Sequence, residues 1–196
     1  PTDELEAAAD RVRRLREARS ERFEGGEPRP EPEGAPLAMA MATRAVTVVR
    51  PGPPGFTRAL NGRVAVIFPR FSDLAPRITI ESALCDEPAY LARAFGLAGI
   101  SPAVSLVGIE PSPDEIAAAA TAAAGADATV LFLFDGHLYA SNRALLDAVH
   151  ARARALAVVL LRDPYDASLL APGVLGITAF GFRRVQLDAV ISRLVH

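Results

Sequence analysis

The chain has 196 residues, of which 51% are hydrophobic, and a formal net charge of −2. It is long enough for one domain with a sizeable core plus an appendage, and its balanced charge argues against disorder and against a nucleic-acid interface. All 21 basic residues are arginines, so chemistry that needs lysine is excluded, and the single cysteine excludes an internal disulfide. The three histidines lack metal-ligand spacing, so no metal or cofactor site is predicted.

Residues 1–36 are predicted to be an appendage. Thr2–Phe23 has the pattern of a charged helix with a narrow apolar stripe, which either packs on this chain's own domain or matches an upstream segment. Glu24–Pro36 is rich in Pro, Gly and Glu and is predicted to be an extended linker. The first residue, Pro1, favours a chain cut from a longer protein. No signal-peptide pattern or membrane-spanning run is present, which favours the cytoplasm unless a secretion signal lies upstream.

Residues 37–196 are predicted to form one α/β domain. Continuous apolar runs are typical of strands buried on both faces, and the segments between them carry helix-end signals. This alternation predicts an open, mainly parallel β-sheet with helices on both faces, a three-layer sandwich. In chain order we predict a helix at 37–45, strands at 46–49 and 63–68, a helix at 87–95, a strand at 104–109, a helix at 113–124, a strand at 128–134, a helix at 141–155, strands at 156–161 and 174–180, and a helix at 184–195.

Charged residues follow most of these strands, and the candidate residues come after three of them. Arg70 comes after the strand at 63–68, Asp135 and His137 come after 128–134, and Arg162 and Asp163 come after 156–161. In open α/β sheets, ligands and partners gather beyond the carboxyl ends of the strands. These five residues are therefore the predicted lining of a cleft or of a partner interface, and no residue is predicted to be catalytic.

Each of the five also has a structural interpretation. Arg70 could make an exposed ion pair of little energetic weight. Asp135 and Gly136 could form a turn in which His137 bonds locally. Neither interpretation requires a ligand.

Arg162 and Asp163 could form a salt-bridged corner in which Pro164 fixes the backbone and Tyr165 closes over the core. The corner formed by Arg162 and Asp163 also needs no ligand, because the sequence Asp-Pro-Tyr-Asp is typical of a turn. The other aromatic residues near the same edge are interpreted as core: Phe71, Tyr139, Phe180 and Phe182.

Several segments resemble the carboxyl-terminal α/β domain of family-3 glycoside hydrolases. The run VVLLRDPYD at Val158–Asp166, followed by LAPGVLGITAFGF at Leu170–Phe182, is the most distinctive. Val64–Glu81 is similar to that domain's first strand and loop, and AADRVRRLREAR is similar to the helix that leaves the family's catalytic barrel. The resemblance, nearest to two-domain bacterial β-N-acetylglucosaminidases, implies retaining hydrolysis of terminal β-linked sugars in the full enzyme.

The resemblance also implies that this chain alone is inactive. The family's nucleophilic aspartate lies on an amino-terminal (β/α)8 barrel, which takes roughly 250 residues. Retaining hydrolysis needs two catalytic groups about 5 Å apart across the sugar. The implied partners are that barrel and a carbohydrate at the shared cleft, and a homodimer with a second copy of the enzyme stays open. The β-glucosidase branch takes its acid/base glutamate from this second domain, but no motif places that role on Glu81, which is interpreted as an exposed or capping carboxylate.

Two alternatives stay open. The chain could be an independent, non-catalytic module of the same fold that binds carbohydrate or protein. It could also be a nucleotide or cofactor binder of flavodoxin-like shape, although no G-x-G-x-x-G or Walker A pattern follows any predicted strand.

Overall fold

A computed structural model describes residues 2–23, 34–76 and 78–195, which divide into two compact units between Leu37 and Ala38. In the first unit, helix α1 spans Thr2–Phe23, as predicted. Residues 24–33 of the predicted linker lie outside the described residues. The rest of that linker is helical instead, because α2 spans Gly34–Ala45. Pro36 lies in the first turn of α2, where a proline is tolerated because the N–H groups of that turn have no intrahelical partner.

The second unit contains a six-stranded sheet in the order β1-β6-β5-β4-β2-β3. β1 pairs antiparallel with β6, and the other four pairs are parallel, so the predicted mainly parallel sheet is confirmed. The strands are β1 Thr47–Arg50, β2 Val64–Pro69, β3 Ala103–Val107, β4 Ala128–Phe134, β5 Leu156–Leu161 and β6 Leu175–Thr178.

Helices cover both faces of this sheet. Apolar residues of α4 and α7 pack in one core cluster and those of α5 and α6 in another, so the predicted three-layer arrangement is confirmed. Within the described residues no helix is long and apolar enough to cross a bilayer. After α2, the helices are α3 Phe56–Ala59, α4 Glu87–Gly96, α5 Pro113–Gly125, α6 Ala140–His150 and α7 Arg184–Val195.

Strand burial follows position in the sheet. β2, β4 and β5 lie inside the sheet and every residue in them is buried. β3 is an edge strand, exposed at Ala103 and fully buried only at Val107, so the prediction of burial on both faces is wrong for it. Helix α6 ends at His150 rather than at residue 155, because the chain must turn before β5 begins beside Thr129.

The chain reverses direction across the sheet next to β2. From β2 the chain passes to β3 on one side, and then to β4 on the other side of β2. The loops that follow β2 and β4 therefore diverge at the carboxyl edge of the sheet. In open α/β sheets such a point is where a crevice forms and where ligands bind.

Candidate functional site

The loops after β4 and β5 bring together a polar cluster, the β4–β5 corner, formed by Asp135, Gly136, His137, Arg162 and Asp166. The side chains of Asp135 and Asp166 are only 2% exposed. A buried carboxylate is strongly destabilising unless it is paired or hydrogen-bonded. Both carboxylates of the corner meet this condition, each in a different way.

Asp166 accepts three hydrogen bonds. Its Oδ2 accepts from the N–H of Gly136 at 2.8 Å, and its Oδ1 accepts from the N–H of His137 at 2.7 Å and from His137 Nδ1 at 2.8 Å. Glycine suits position 136, because a Cβ there would lie 3.2 Å from a methyl carbon of Leu133. A carboxylate only accepts, so the proton of a neutral His137 lies on Nδ1 and the lone pair on Nε2.

Asp135 is paired with Arg162. The Nη1 of Arg162 lies 2.6 Å from Asp135 Oδ2, and its guanidinium lies 5.8 Å from the ring centroid of Phe134. Burial raises the pKa of Asp135 above its ordinary value of 3.8, and the charge of Arg162 opposes that rise. The ion pair with Arg162 thus offsets part of the cost of burying the charged form of Asp135.

Three residues just beyond neighbouring strands have left-handed backbones. Asp135 follows β4 with φ 47°, Arg162 follows β5 with φ 75°, and Phe180 lies just past β6 with φ 58°. This conformation costs a residue other than glycine about 1–2 kcal/mol. Such strain concentrates at functional sites, and here it follows the carboxyl edge of the sheet.

Exposed apolar side chains lie in the loops that follow β4, β5 and β6. Tyr165, Leu138 and Phe180 are 69%, 65% and 47% exposed. The ring centroid of Tyr165 lies 5.6 Å from that of His137, in an edge-to-face arrangement. Large side chains left in water beside a polar cluster are typical of a binding surface.

A second cluster, the β2–β3 corner, contains Arg70, Asp73, Gly108, Ser112 and Glu115. Arg70 lies 3.3 Å from Asp73 and 3.2 Å from Glu115. Glu115 also accepts hydrogen bonds from the N–H groups of Ser112 at 2.9 Å and Gly108 at 3.1 Å. These contacts, led by the Ser112 bond, hold the pKa of Glu115 below its ordinary value. With the Ser112 side chain they form a capping box at the start of α5.

Asn142 and Asp166 are site residues that the sequence analysis missed. Asn142 is 3% exposed, and its Nδ2 donates to the carbonyl oxygens of Phe134 at 2.6 Å and Ile109 at 2.8 Å. It thereby joins the end of β4 to the loop after β3. Asp166 lies in the RDPYD run, which the sequence predicts to be a turn. Both residues bond to partners far away in the sequence, and no local sequence pattern predicts those contacts.

The predicted cleft residues do not all come together. Asp135, His137 and Arg162 share the β4–β5 corner, whereas Arg70 belongs to the β2–β3 corner, with the ion pairs that its structural interpretation anticipated. Asp163 lies beside the β4–β5 corner and accepts from the N–H of the residue two positions later.

Several interpretations of single residues are corrected. His137 bonds across 29 residues to Asp166 rather than locally, because the loop after β5 returns to the end of β4. Arg162 pairs with Asp135 instead of Asp163. Tyr165 does not close over the core, since most of its side chain is exposed.

The structure tests the interpretations of three further residues. Phe180 is exposed, so it is not core, whereas Phe71 is fully buried, as predicted. Glu81 accepts a hydrogen bond from the N–H of Arg184, the first residue of α7, at 2.9 Å, so its interpretation as a capping carboxylate is confirmed. Within 2–23, 34–76 and 78–195, no three His, Cys, Asp or Glu side chains gather as metal ligands would.

The fold is shared with part of several solved enzymes. The chain superposes on a glycoside hydrolase family 3 β-N-acetylglucosaminidase from Paenibacillus sp. str. FPU-7 with a TM-score of 0.66 and 20% identity, covering 88% of this chain and 32% of that protein. A fungal multi-domain family 3 β-N-acetylglucosaminidase gives a TM-score of 0.61 and 14% identity, covering 83% and 18%. The family 3 β-glucosidase of Bifidobacterium adolescentis gives 0.57 and 15%, covering 95% and 30%.

The chain has the fold of a domain found in family-3 glycoside hydrolases. The resemblance noted in the sequence is thereby confirmed at the level of the fold. The chain spans between 18% and 32% of the length of these three enzymes. No protein-family model and no curated protein sequence matches it.

Proposed function

We propose that this chain is the carboxyl-terminal domain of a family-3 glycoside hydrolase, most nearly a β-N-acetylglucosaminidase, whose catalytic barrel lies outside this chain. The observation that carries the proposal is the superposition of 88% of the chain on 32% of the Paenibacillus enzyme. Both β-N-acetylglucosaminidases superpose with higher TM-scores than the β-glucosidase does. In the complete enzyme this domain stabilises the barrel or a homodimer and borders the sugar cleft.

The chemistry of the β4–β5 corner supports a non-catalytic role for the chain by itself. A retaining glycosidase needs a nucleophilic carboxylate and an acid/base group facing the sugar. Asp135 and Asp166 are buried; Oδ2 of Asp135 is paired with Arg162, and the two oxygens of Asp166 accept from three N–H donors. Neither carboxylate is free to attack an anomeric carbon.

Cleft residues are proposed at the carboxyl edge of the sheet. His137, Arg162 and Asp163 lie at or beside the β4–β5 corner, where the strained backbone and exposed aromatic residues are found. Arg70, on the other side of the point where the chain reverses, is proposed to contact the barrel, since its guanidinium is partly exposed.

The experiment compares the complete reading frame that contains this chain with the 196-residue chain alone. Both proteins are assayed with a chromogenic aryl β-N-acetylglucosaminide and with the matching aryl β-glucoside. We expect the complete protein to release the aryl group, faster from the first substrate, and the chain alone to release none. Turnover by the isolated chain contradicts the proposal. A reading frame without a barrel favours the alternative of an independent module.

A further inference from the structure

Within the residues that the structure describes, the β4–β5 corner holds a histidine anchored through only one of its two ring nitrogens. Nδ1 of His137 is fixed by Asp166, and its Nε2 has no hydrogen-bond partner among residues 34–76 and 78–195. The side chain is 28% exposed, whereas Asp166 behind it is 2% exposed. A buried carboxylate that orients a partly exposed imidazole fixes both the ring and its tautomer.

An aromatic ring lies next to this histidine. Tyr165 is 69% exposed, and its ring centroid is 5.6 Å from that of His137. An exposed aromatic face can pack on the apolar C–H face of a pyranose, and a fixed hydrogen-bond acceptor at its edge can take a hydroxyl proton. The two side chains come from different loops, and Asp166 connects them because it lies one residue after Tyr165.

The charge of this region selects against anionic ligands. Among the residues named in and beside this corner, three carry carboxyl groups, Asp135, Asp163 and Asp166, and one carries a guanidinium, Arg162, which is already paired. A phosphate or nucleotide would meet net negative charge. A neutral polyhydroxyl ligand would not.

We propose that the β4–β5 corner binds saccharide directly, with Nε2 of His137 accepting a hydrogen bond from a sugar hydroxyl and the Tyr165 ring packing against the pyranose. The inference rests on the proposed function, because it assigns the carbohydrate contact of this domain in that enzyme. Asp166 acts here as a positioning residue that holds the imidazole.

The first test measures steady-state kinetics of the complete protein on the aryl β-N-acetylglucosaminide. We expect His137→Ala and Tyr165→Ala each to raise KM about 3- to 10-fold, the loss of one hydrogen bond or one ring contact, with kcat within about twofold. The matched control is His150→Ala, because His150 is an exposed histidine at the end of α6, which runs away from this edge. An unchanged KM in both site variants overturns the inference and leaves the proposed function intact.

The second test decides the matter if the complete protein releases no sugar, an outcome that contradicts the proposed function. The full 196-residue chain, labelled with 15N-histidine, is titrated with N-acetylglucosamine and its β-linked disaccharide. We expect the Nε2 resonance of His137 to shift and that of His150 to stay fixed, with a 3- to 10-fold weaker Kd in Tyr165→Ala. An unmoved His137 resonance at saturating sugar overturns the inference.

The same spectra report the role of Asp166. In the wild-type chain we expect the long-range imidazole correlations of His137 to show the proton on Nδ1. Asp166→Asn should populate the other tautomer and weaken sugar binding about 3- to 10-fold. A purely structural Asp166 would leave the tautomer unchanged.

Discussion

The two corners lie at the same edge of one sheet, and each pairs a carboxylate with an arginine, yet burial gives them opposite electrostatics. In the β4–β5 corner, Asp135 is 2% exposed and burial raises its pKa despite Arg162. In the β2–β3 corner, Glu115 is 27% exposed and its hydrogen bonds lower its pKa. An ion pair therefore stabilises a fold only where its hydrogen bonds outweigh the desolvation of the charge.

The backbone shows the same contrast. Asp135 and Arg162 have positive φ, whereas, within the part of the chain that the structure describes, no residue of the β2–β3 corner does. The β2–β3 corner is a helix cap with an arginine added. The β4–β5 corner combines burial, strain and exposed aromatic residues, and it is the better candidate for recognition.

The largest expected effect comes from removing the acceptor at the centre of the β4–β5 corner. Asp166→Ala leaves the N–H groups of Gly136 and His137 without their partner, and the Gly136 N–H is buried. We expect the free energy of unfolding to fall by about 3–5 kcal/mol, measured by urea denaturation at pH 7.

The matched control is Asp163→Ala, three residues earlier in the same loop. Asp163 accepts one hydrogen bond, from the N–H of Tyr165 at 3.1 Å. Its loss should cost less than about 1 kcal/mol. Equal effects of the two substitutions would show that the burial of Asp166 does not matter to stability.

The next effect is a pH-dependent loss of stability, expected when Arg162 is removed and Asp135 stays. In Arg162→Met the charge that opposes the raised pKa of Asp135 is gone, so the pKa rises further. A group whose pKa is higher in the folded than in the unfolded state favours folding least at high pH. We expect little change near pH 4 and a loss of about 1–3 kcal/mol at pH 7, from unfolding curves across that range.

Asp135→Asn is the control, made both in the wild-type protein and in Arg162→Met. Asparagine tolerates left-handed φ and carries no charge, so the pH dependence attributed to Asp135 should disappear. Arg162→Met combined with Asp135→Asn should be more stable at pH 7 than Arg162→Met alone. A double variant that keeps the steeper pH dependence would contradict this assignment.

The sequence predicted the fold well because the signals of the strands and most helix ends are local. The apolar run at 128–134 matches β4 residue for residue, and Ser112 with Pro113 marks the start of α5. The errors occur where tertiary context decides. An edge position exposes part of β3, and the turn before β5 ends α6 at His150.

The site was only partly predictable for the same reason. Strand ends are local features, so Asp135, His137 and Arg162 could be placed at the carboxyl edge. Which carboxylate each one contacts depends on how the loops after β4 and β5 fold towards each other. Asp166 lies 29 residues from His137, and no spacing rule connects positions so far apart.

The smallest effect tests the β2–β3 corner and should have the opposite pH dependence. Glu115→Ala removes the acceptor for the Ser112 and Gly108 N–H groups and should cost about 1–2 kcal/mol at pH 7. Because the pKa of Glu115 is lowered from 4.5, its stabilising effect is present above that pH and is lost as pH falls through the folded value. The variant should therefore approach the wild type in acid.

Arg70→Ala, which removes only partly exposed ion pairs, should cost less than about 1 kcal/mol. Equal losses in the two variants would mean that the ion pair, rather than the cap, stabilises this corner.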